Sequence, residues 1–225
     1  FDIDKEKLRE FHSKFGIQVF DNFEEFTKLD MDMVVECASQ SAVCEYGAEI
    51  LKKVIHLVIL STGALLEHRI RTKLIDCAKD SGGKIFIPTG AIAGIDALTA
   101  LKEYIRNLKI RTTKNPTAWG KEFTKREKLF SGLAKLAVDR YPKNINVAAT
   151  MELATGHDVN VELWADPEIK YNTHEIWVES DFAKLYFRIE NLPSKLNPKT
   201  SYLAPLSVVA LLQKILEEPV IYVGI

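Results

Sequence analysis

Three runs of consecutive apolar residues constrain this chain most: "DMVVECAS" (32–39), "IHLVILST" (55–62) and "KIFIPTG" (84–90). None alternates polar with apolar, as a strand with one wet face would. A strand that is apolar on both faces must be covered on both, which is the condition of a parallel sheet flanked by helices. The segments that follow have the matching helical period. "SAVCEYGAEILKK" (41–53) gathers Val43, Tyr46, Ile50 and Leu51 on one side, and "LEHRIRTKLIDCAKDSGG" (66–83) ends in glycines. "GIDALTALKEYIRN" (94–107) completes a pattern of strand and helix repeated three times. Ahead of it, "DKEKLREFHSKF" (4–15) has helical spacing up to Gly16. "IQVFDNFEEFTK" (17–28) reads as a short strand and a helical turn capped by Asp21.

After Leu108 the period changes. "KIRTTKNP" reads as a strand running into an Asn-Pro turn, and helices are expected at 131–142 and 145–156. Then "DVNVELWAD" (158–166), "THEIWVES" (173–180) and "AKLYFRIEN" (183–191) alternate strictly, as an antiparallel meander with one packed face would. Val161, Leu163, Ile176, Val178, Leu185, Phe187 and Ile189 form that face. Trp164, Trp177 and Tyr186 share the other with Glu162, Glu175, Lys184 and Arg188. Exposed aromatics among charges serve as a solvated surface or as a subunit interface. A helix at 201–217 and a last strand, "VIYVG", close the chain. The expected architecture is α/β: a parallel-sheet domain from residues 1–107 and 200–225, and an α+β domain with an antiparallel sheet from 108–199.

Bulk properties exclude some functions. Among 225 residues the formal net charge is −1, with both signs interleaved, so no nucleic-acid surface is expected. The longest apolar run, "VIHLVIL", is strand-sized, so no membrane span is expected. Three cysteines without metal-ligand spacing suit a reduced, cytoplasmic protein.

Candidate chemistry lies at the strand ends. "CASQSAV" (37–43), "STGALLE" (61–67) and "PTGAIAG" (88–94) are small, polar and followed by helix starts. Ligands of an open parallel sheet bind there, so Ser39, Ser61, Thr62, Gly90 and Ala91 are candidates for a nucleotide cleft. Each loop alone reads equally as a capped helix start. Asp2 would suit the acidic residue that bonds the adenosine ribose, although no G-x-G-x-x-G loop occurs in the sequence. In "YPKNINVAAT" (141–150), Asn144 reads as a helix cap and Asn146 as a possible ligand contact. In "NTHEI", His174 shares the packed face with Ile176 and Val178 at the strand's start, with Asn172 beside it. A neutral imidazole there suits proton transfer, and equally a half-buried histidine bonded to a carbonyl. In "NPKTS" (197–201), Lys199 is a candidate anion contact and Thr200 or Ser201 a cap for the last helix.

Together "PTGAIAGIDAL", "PKNINVAAT", "NTHEI" and "NPKTSYL", with "VVECASQSAV" and "VILSTGAL", resemble the L-aspartate dehydrogenase family across nearly all of residues 1–217. The resemblance implies a Rossmann-type domain and a second α/β domain that supports homo-oligomers. It implies NAD or NADP as cofactor and oxidation of L-aspartate through iminoaspartate to oxaloacetate and ammonia, with iminoaspartate available for NAD synthesis. It assigns the catalytic histidine to His174 and cofactor contacts to Ala91 and Asn146. Lys199, Thr200 and Ser201 become the expected substrate-carboxylate contacts. The family's first strand and glycine loop are absent here, and the expectation is that they precede Phe1 in a longer protein. Asp2 favours NAD, because a carboxylate repels a 2′-phosphate, while the lysines of "DKEK" favour NADP.

Overall fold

The parallel sheet forms where the apolar runs place it. A computed structural model describes residues 1–53, 55–194, 200–217 and 220–221. The chain enters through α1 (Lys5–Phe15) and the single turn α2 (Phe23–Phe26). Asn22, not Asp21, caps α2, because its Oδ1 accepts the Glu25 N–H while Asp21 pairs with Lys5. No strand forms at 17–20. One bond, from Asp2 N–H to the Phe20 carbonyl, joins that stretch to the chain's start.

Strands β1 (Met33–Glu36), β2 (His56–Ile59) and β3 (Ile85–Phe86) then lie side by side, all parallel. Helix α3 (Gln40–Lys52) packs on β1 and β2, and α4 (His68–Ser81) packs on α3. Val43, Leu51, Leu57, Ile59 and Leu74 fill that core. Only two residues of the expected 84–90 strand pair as a ladder. From Pro88 onward the chain turns, with Gly90 at φ 68°.

The second half departs further from expectation. Helix α5 stops at Leu101 (Ile95–Leu101), and Ile105 opens β4 (Ile105–Lys114), since pairing with the last strands outweighs the helical period of 102–107. After the turn α6 (Pro116–Trp119), the expected helix at 131–142 is mostly strand β5 (Glu127–Leu133), followed by one turn, α7 (Ala134–Ala137). Its residues 131–133 pair with 160–162, and that ladder overrides the helical spacing. Helix α8 (Asn146–Thr155) leads to β6 (Asn160–Ala165), β7 (Asn172–Ser180) and β8 (Lys184–Asn191).

These strands do not form a meander. The sheet order is β5-β6-β4-β7-β8, with β4 inserted between β6 and β7 and parallel to β6. Alternation specifies which face a side chain takes, not which strand lies beside it. The packed face is as expected: Val161, Leu163, Ile176 and Val178 are buried against Ala148 and Met151 of α8 and Leu98 of α5. The last helix, α9 (Leu203–Leu216), matches its expected span. Of "VIYVG", residues 222–224 lie outside the described residues, and 220–221 belong to no strand. No helix of the described residues is long and apolar enough to cross a membrane.

One glycine makes a close approach between the two sheets. Gly94 has φ 80°, and a Cβ there would meet the Phe187 ring of β8 at 2.5 Å. Gly94→Ala is expected to destabilise the chain by about 1–3 kcal/mol through strain and overpacking. Chemical denaturation checks this, and an unchanged midpoint would refute it.

Candidate active site

Side chains on the packed face of the second sheet stand in rungs. The rung of Leu108 and Val178 and the rung of Ile110 and Ile176 are apolar. The next places Thr112 opposite His174, flanked by Leu163 and Ile189. The final rung, at the sheet's end, holds Lys114, Asn172 and Asn191, all buried. An apolar face thus becomes polar at one edge, and a buried polar edge of this kind must be hydrogen-bonded or used.

Its groups reach three different loops. Asn191 Nδ2 donates to the Ala91 carbonyl at 2.9 Å, and Asn172 Nδ2 to Ser201 Oγ at 3.4 Å. Lys114 Nζ donates to Asn144 Oδ1 at 2.8 Å. The edge therefore draws together the turn after β3, the segment before α9 and the turn before α8.

His174 is 1% exposed, and its Nδ1 lies 2.9 Å from Thr112 Oγ1. With Nδ1 held by a hydroxyl, Nε2 is the ring nitrogen left for a reactant. Burial, and after it the Lys114 charge, push the imidazole pKa down to about 3. The ring is therefore neutral across the working range, as a proton acceptor must be before it acts. Burial also lowers the Lys114 pKa to about 8.

The seam with the first sheet lies at the carboxyl ends of β2 and β3. Thr62 Oγ1 donates to the Asn146 carbonyl at 2.7 Å, and the Gly63 N–H to Asn146 Oδ1 at 3.0 Å. A Cβ on Gly63 would fall on the Gln40 amide, which itself donates to the Pro142 carbonyl at 2.9 Å. Asn146 Nδ2 has no partner among the described residues, so a donor remains beside the strand ends. Gly90 N–H is taken by Ser207 Oγ of α9 at 3.0 Å.

The remaining candidates are placed differently. Ser39 Oγ caps α3 by accepting the Ala42 N–H, and Ser61 Oγ donates to Glu36 at 2.8 Å, so both hydroxyls serve local structure. Asp2 accepts the Asp4 N–H at 2.9 Å. Asn144 caps no helix. It lies in the turn Pro142–Asn144 and faces Lys114. Neither Thr200 nor Ser201 caps α9, whose N-cap position is Tyr202 and carries no side-chain capping bond. The Thr200 carbonyl accepts the Ser194 N–H, and Ser201 joins Asn172. Lys199 lies outside the described residues. Sequence reasoning missed Lys114 and Asn191. Counting by twos from Leu108 and from Leu185 would have put both on the packed face.

A parallel sheet with ligand-ready strand ends, facing a second sheet whose polar edge carries a buried neutral histidine, is the plan of a dinucleotide-dependent oxidoreductase. The Asn146 Nδ2, a donor without a partner among the described residues and held beside the strand ends by the Gly63 N–H on its Oδ1, fits the nicotinamide end of such a cofactor. Residues 4–88 match the model for the homoserine dehydrogenase NAD-binding domain, and residues 96–215 match the aspartate dehydrogenase C-terminal model. The chain is 44% identical over 207 residues to L-aspartate dehydrogenase of Methanospirillum hungatei JF-1, covering 92% of this chain and 82% of that protein. It is 41% identical to that of Archaeoglobus fulgidus, covering 86% and 80%. The crystal structure of aspartate dehydrogenase from Thermotoga maritima superposes with TM-score 0.73 at 32% identity, covering 87% of this chain and 79% of that one. The chain belongs to the L-aspartate dehydrogenase family and is an NAD(P)-dependent oxidoreductase.

Proposed function

We propose that this chain oxidises L-aspartate with NAD+ or NADP+ through iminoaspartate to oxaloacetate and ammonia, with His174 as the proton-transfer group. The observation that carries the reading is a buried, neutral His174 whose Nδ1 is held by Thr112 at the polar edge facing the strand ends. When bound, the nicotinamide accepts the hydride from Cα. His174 takes a proton from the substrate amine as Cα loses the hydride, leaving a carbon–nitrogen double bond. Water then adds across that double bond, giving its oxygen to the carbon and one proton to the nitrogen. The imidazolium returns its proton to the nitrogen. As ammonia departs, the remaining proton of the added water is released to solvent, leaving the ketone of oxaloacetate. Buried Leu163 and partly buried Ile189 limit water around the ring before that step. Ala91 and Asn146 are the cofactor contacts, and Asn172 and Ser201 line the substrate side. The test is NAD(P)H formation with a panel of L-aspartate, L-alanine and L-malate. L-Aspartate should be preferred, and turnover of L-malate alone would replace this reading by a hydroxy-acid dehydrogenase.

The open face of the second sheet supports a homo-oligomer. Arg111 lies over Trp164 and Trp177 at 5.8 and 5.2 Å, and Trp177 packs on the half-exposed Tyr186 at 5.4 Å. A cation–aromatic ladder of this kind is a preformed, low-entropy contact surface. In solution the chain is expected to pair through it. Combining Trp177→Ser with Tyr186→Glu should then reduce the light-scattering mass to that of one chain, and an unchanged mass would place the interface elsewhere.

A further inference from the structure

The turn after β3 is held by side chains from segments far along the chain. β3 pairs over only Ile85 and Phe86, so its own sheet stops restraining the backbone before Gly90 is reached. Two bonds from the other half of the chain take over. Asn191, the last residue of β8 and buried, donates its Nδ2 to the Ala91 carbonyl at 2.9 Å. Ser207 of α9 accepts the Gly90 N–H at 3.0 Å. Its own proton goes to the Ala204 carbonyl at 2.7 Å, which fixes the hydroxyl as an acceptor for Gly90. The two bonds lie on either side of the Gly90–Ala91 peptide group. The N–H of that peptide, on Ala91, has no partner among the described residues. Gly90 holds φ at 68°, and a Cβ on it would meet nothing within 4 Å, so the turn is open beside this donor. Further on, Gly94 seats the chain against the Phe187 ring of β8. A buried backbone N–H is costly until something accepts from it. One held rigid on both sides can meet a ligand with little ordering cost.

We infer that Asn191 and Ser207 are positioning residues, which together clasp the turn after β3 and present the Ala91 N–H to the dinucleotide. This rests on Ala91 as a cofactor contact and deepens it. The probe is NADH or NADPH, whichever wild type binds more tightly. It is titrated into protein carrying isotopically labelled alanine, with affinity read from nucleotide fluorescence and the Ala91 amide followed by NMR. Its signal is identified by its absence in Ala91→Ser. In wild type the Ala91 amide should shift and gain protection from exchange as the nucleotide binds. No change there would remove Ala91 as a contact, and the inference with it. Ser207→Ala should weaken nucleotide binding by about three- to tenfold. Asn191→Leu, which keeps the volume without a donor, should weaken it by about 5- to 20-fold, the scale of one lost buried hydrogen bond. Ser207→Thr, which keeps the hydroxyl, should recover most of the affinity. In Ser207→Ala the KM for the oxidised cofactor should rise more than kcat falls, with the KM for L-aspartate within about twofold at saturating cofactor. The double variant should lose less than the product of the two single losses, because both bonds hold one turn. Losses that simply multiply would mean two unrelated effects and overturn the inference. Nucleotide affinity within about twofold of wild type in Ser207→Ala, while the wild-type Ala91 amide responds, overturns it and leaves the contact standing. Should Asn191→Leu not fold, Ser207→Ala and its threonine rescue decide alone.

Discussion

Exchanging His174 for asparagine should lower kcat for L-aspartate oxidation by about 10²–10⁴-fold, the usual contribution of a positioned acid–base group. NADH affinity should hold, because the ring bonds Thr112 and lies among Leu163 and Ile189 rather than on the cofactor-side loops. Asparagine keeps a polar atom for Thr112 and cannot exchange a proton. Thr112→Val, which keeps the ring and frees Nδ1, should fall between the variant and the wild type. The substitution also has a stability signature. The folded pKa of His174 is about 3, below its ordinary value of 6.5, so the unfolded chain binds the extra proton first. Stability from the neutral ring is complete above about pH 6.5 and is lost as pH falls towards 3, at about 1.4 kcal/mol per pH unit. His174→Asn should lack that slope in urea melts between those pH values. Wild-type kcat in the variant would remove His174 from the chemistry, whatever the melts show.

Glu162→Gln should destabilise the fold by about 2–3 kcal/mol at neutral pH, a large effect for a surface-sheet carboxylate. Glu162 accepts from Lys109 Nζ at 3.0 Å, Arg111 Nε at 2.8 Å and Trp164 Nε1 at 3.3 Å, and Lys128 lies 3.6 Å away. Burial alone would raise its pKa. The hydrogen bonds from Arg111, Lys109 and Trp164 outweigh burial and hold it at about 2. Neutralising it leaves three cations crowded beside Trp164 and Trp177, with Glu175, 3.8 Å from Arg111, as the carboxylate that remains against them. Because the folded pKa is depressed, this contribution is present above the ordinary carboxylate range and fades as pH falls from about 4.5 towards 2. Wild type and variant should therefore converge in acid. Equal stability at pH 7 would show that the network is screened and carries no weight.

Much of this was readable in the residues because it follows from period. Continuous apolar runs at 32–39 and 55–62 read as strands of a parallel sheet, and both pair in one; the second is buried, while Val35 of the first stays exposed. Strict alternation in 158–166, 173–180 and 183–191 placed His174 on the packed face beside Ile176 and Val178, where it stands. Asn146 and Ala91 were singled out by the family resemblance, and the fold sets the first against Gly63 after β2 and the second in the turn after β3. Period does not encode which strands become neighbours. Nothing local in "KIRTTKNP" says that it will run between two later strands. Nothing in "SGLAKL" says that pairing with residues 160–162 will defeat its helical spacing. Those outcomes come from contacts between residues dozens of positions apart, and the site depends on them. Inserting β4 between β6 and β7 puts Thr112 against His174 and Lys114 on the last rung, against Asn144. Residue types and their alternation named the histidine. The long-range pairing of β4 supplied its anchor and its charged neighbour, because side chains from distant segments meet only when the sheet closes around the central strand.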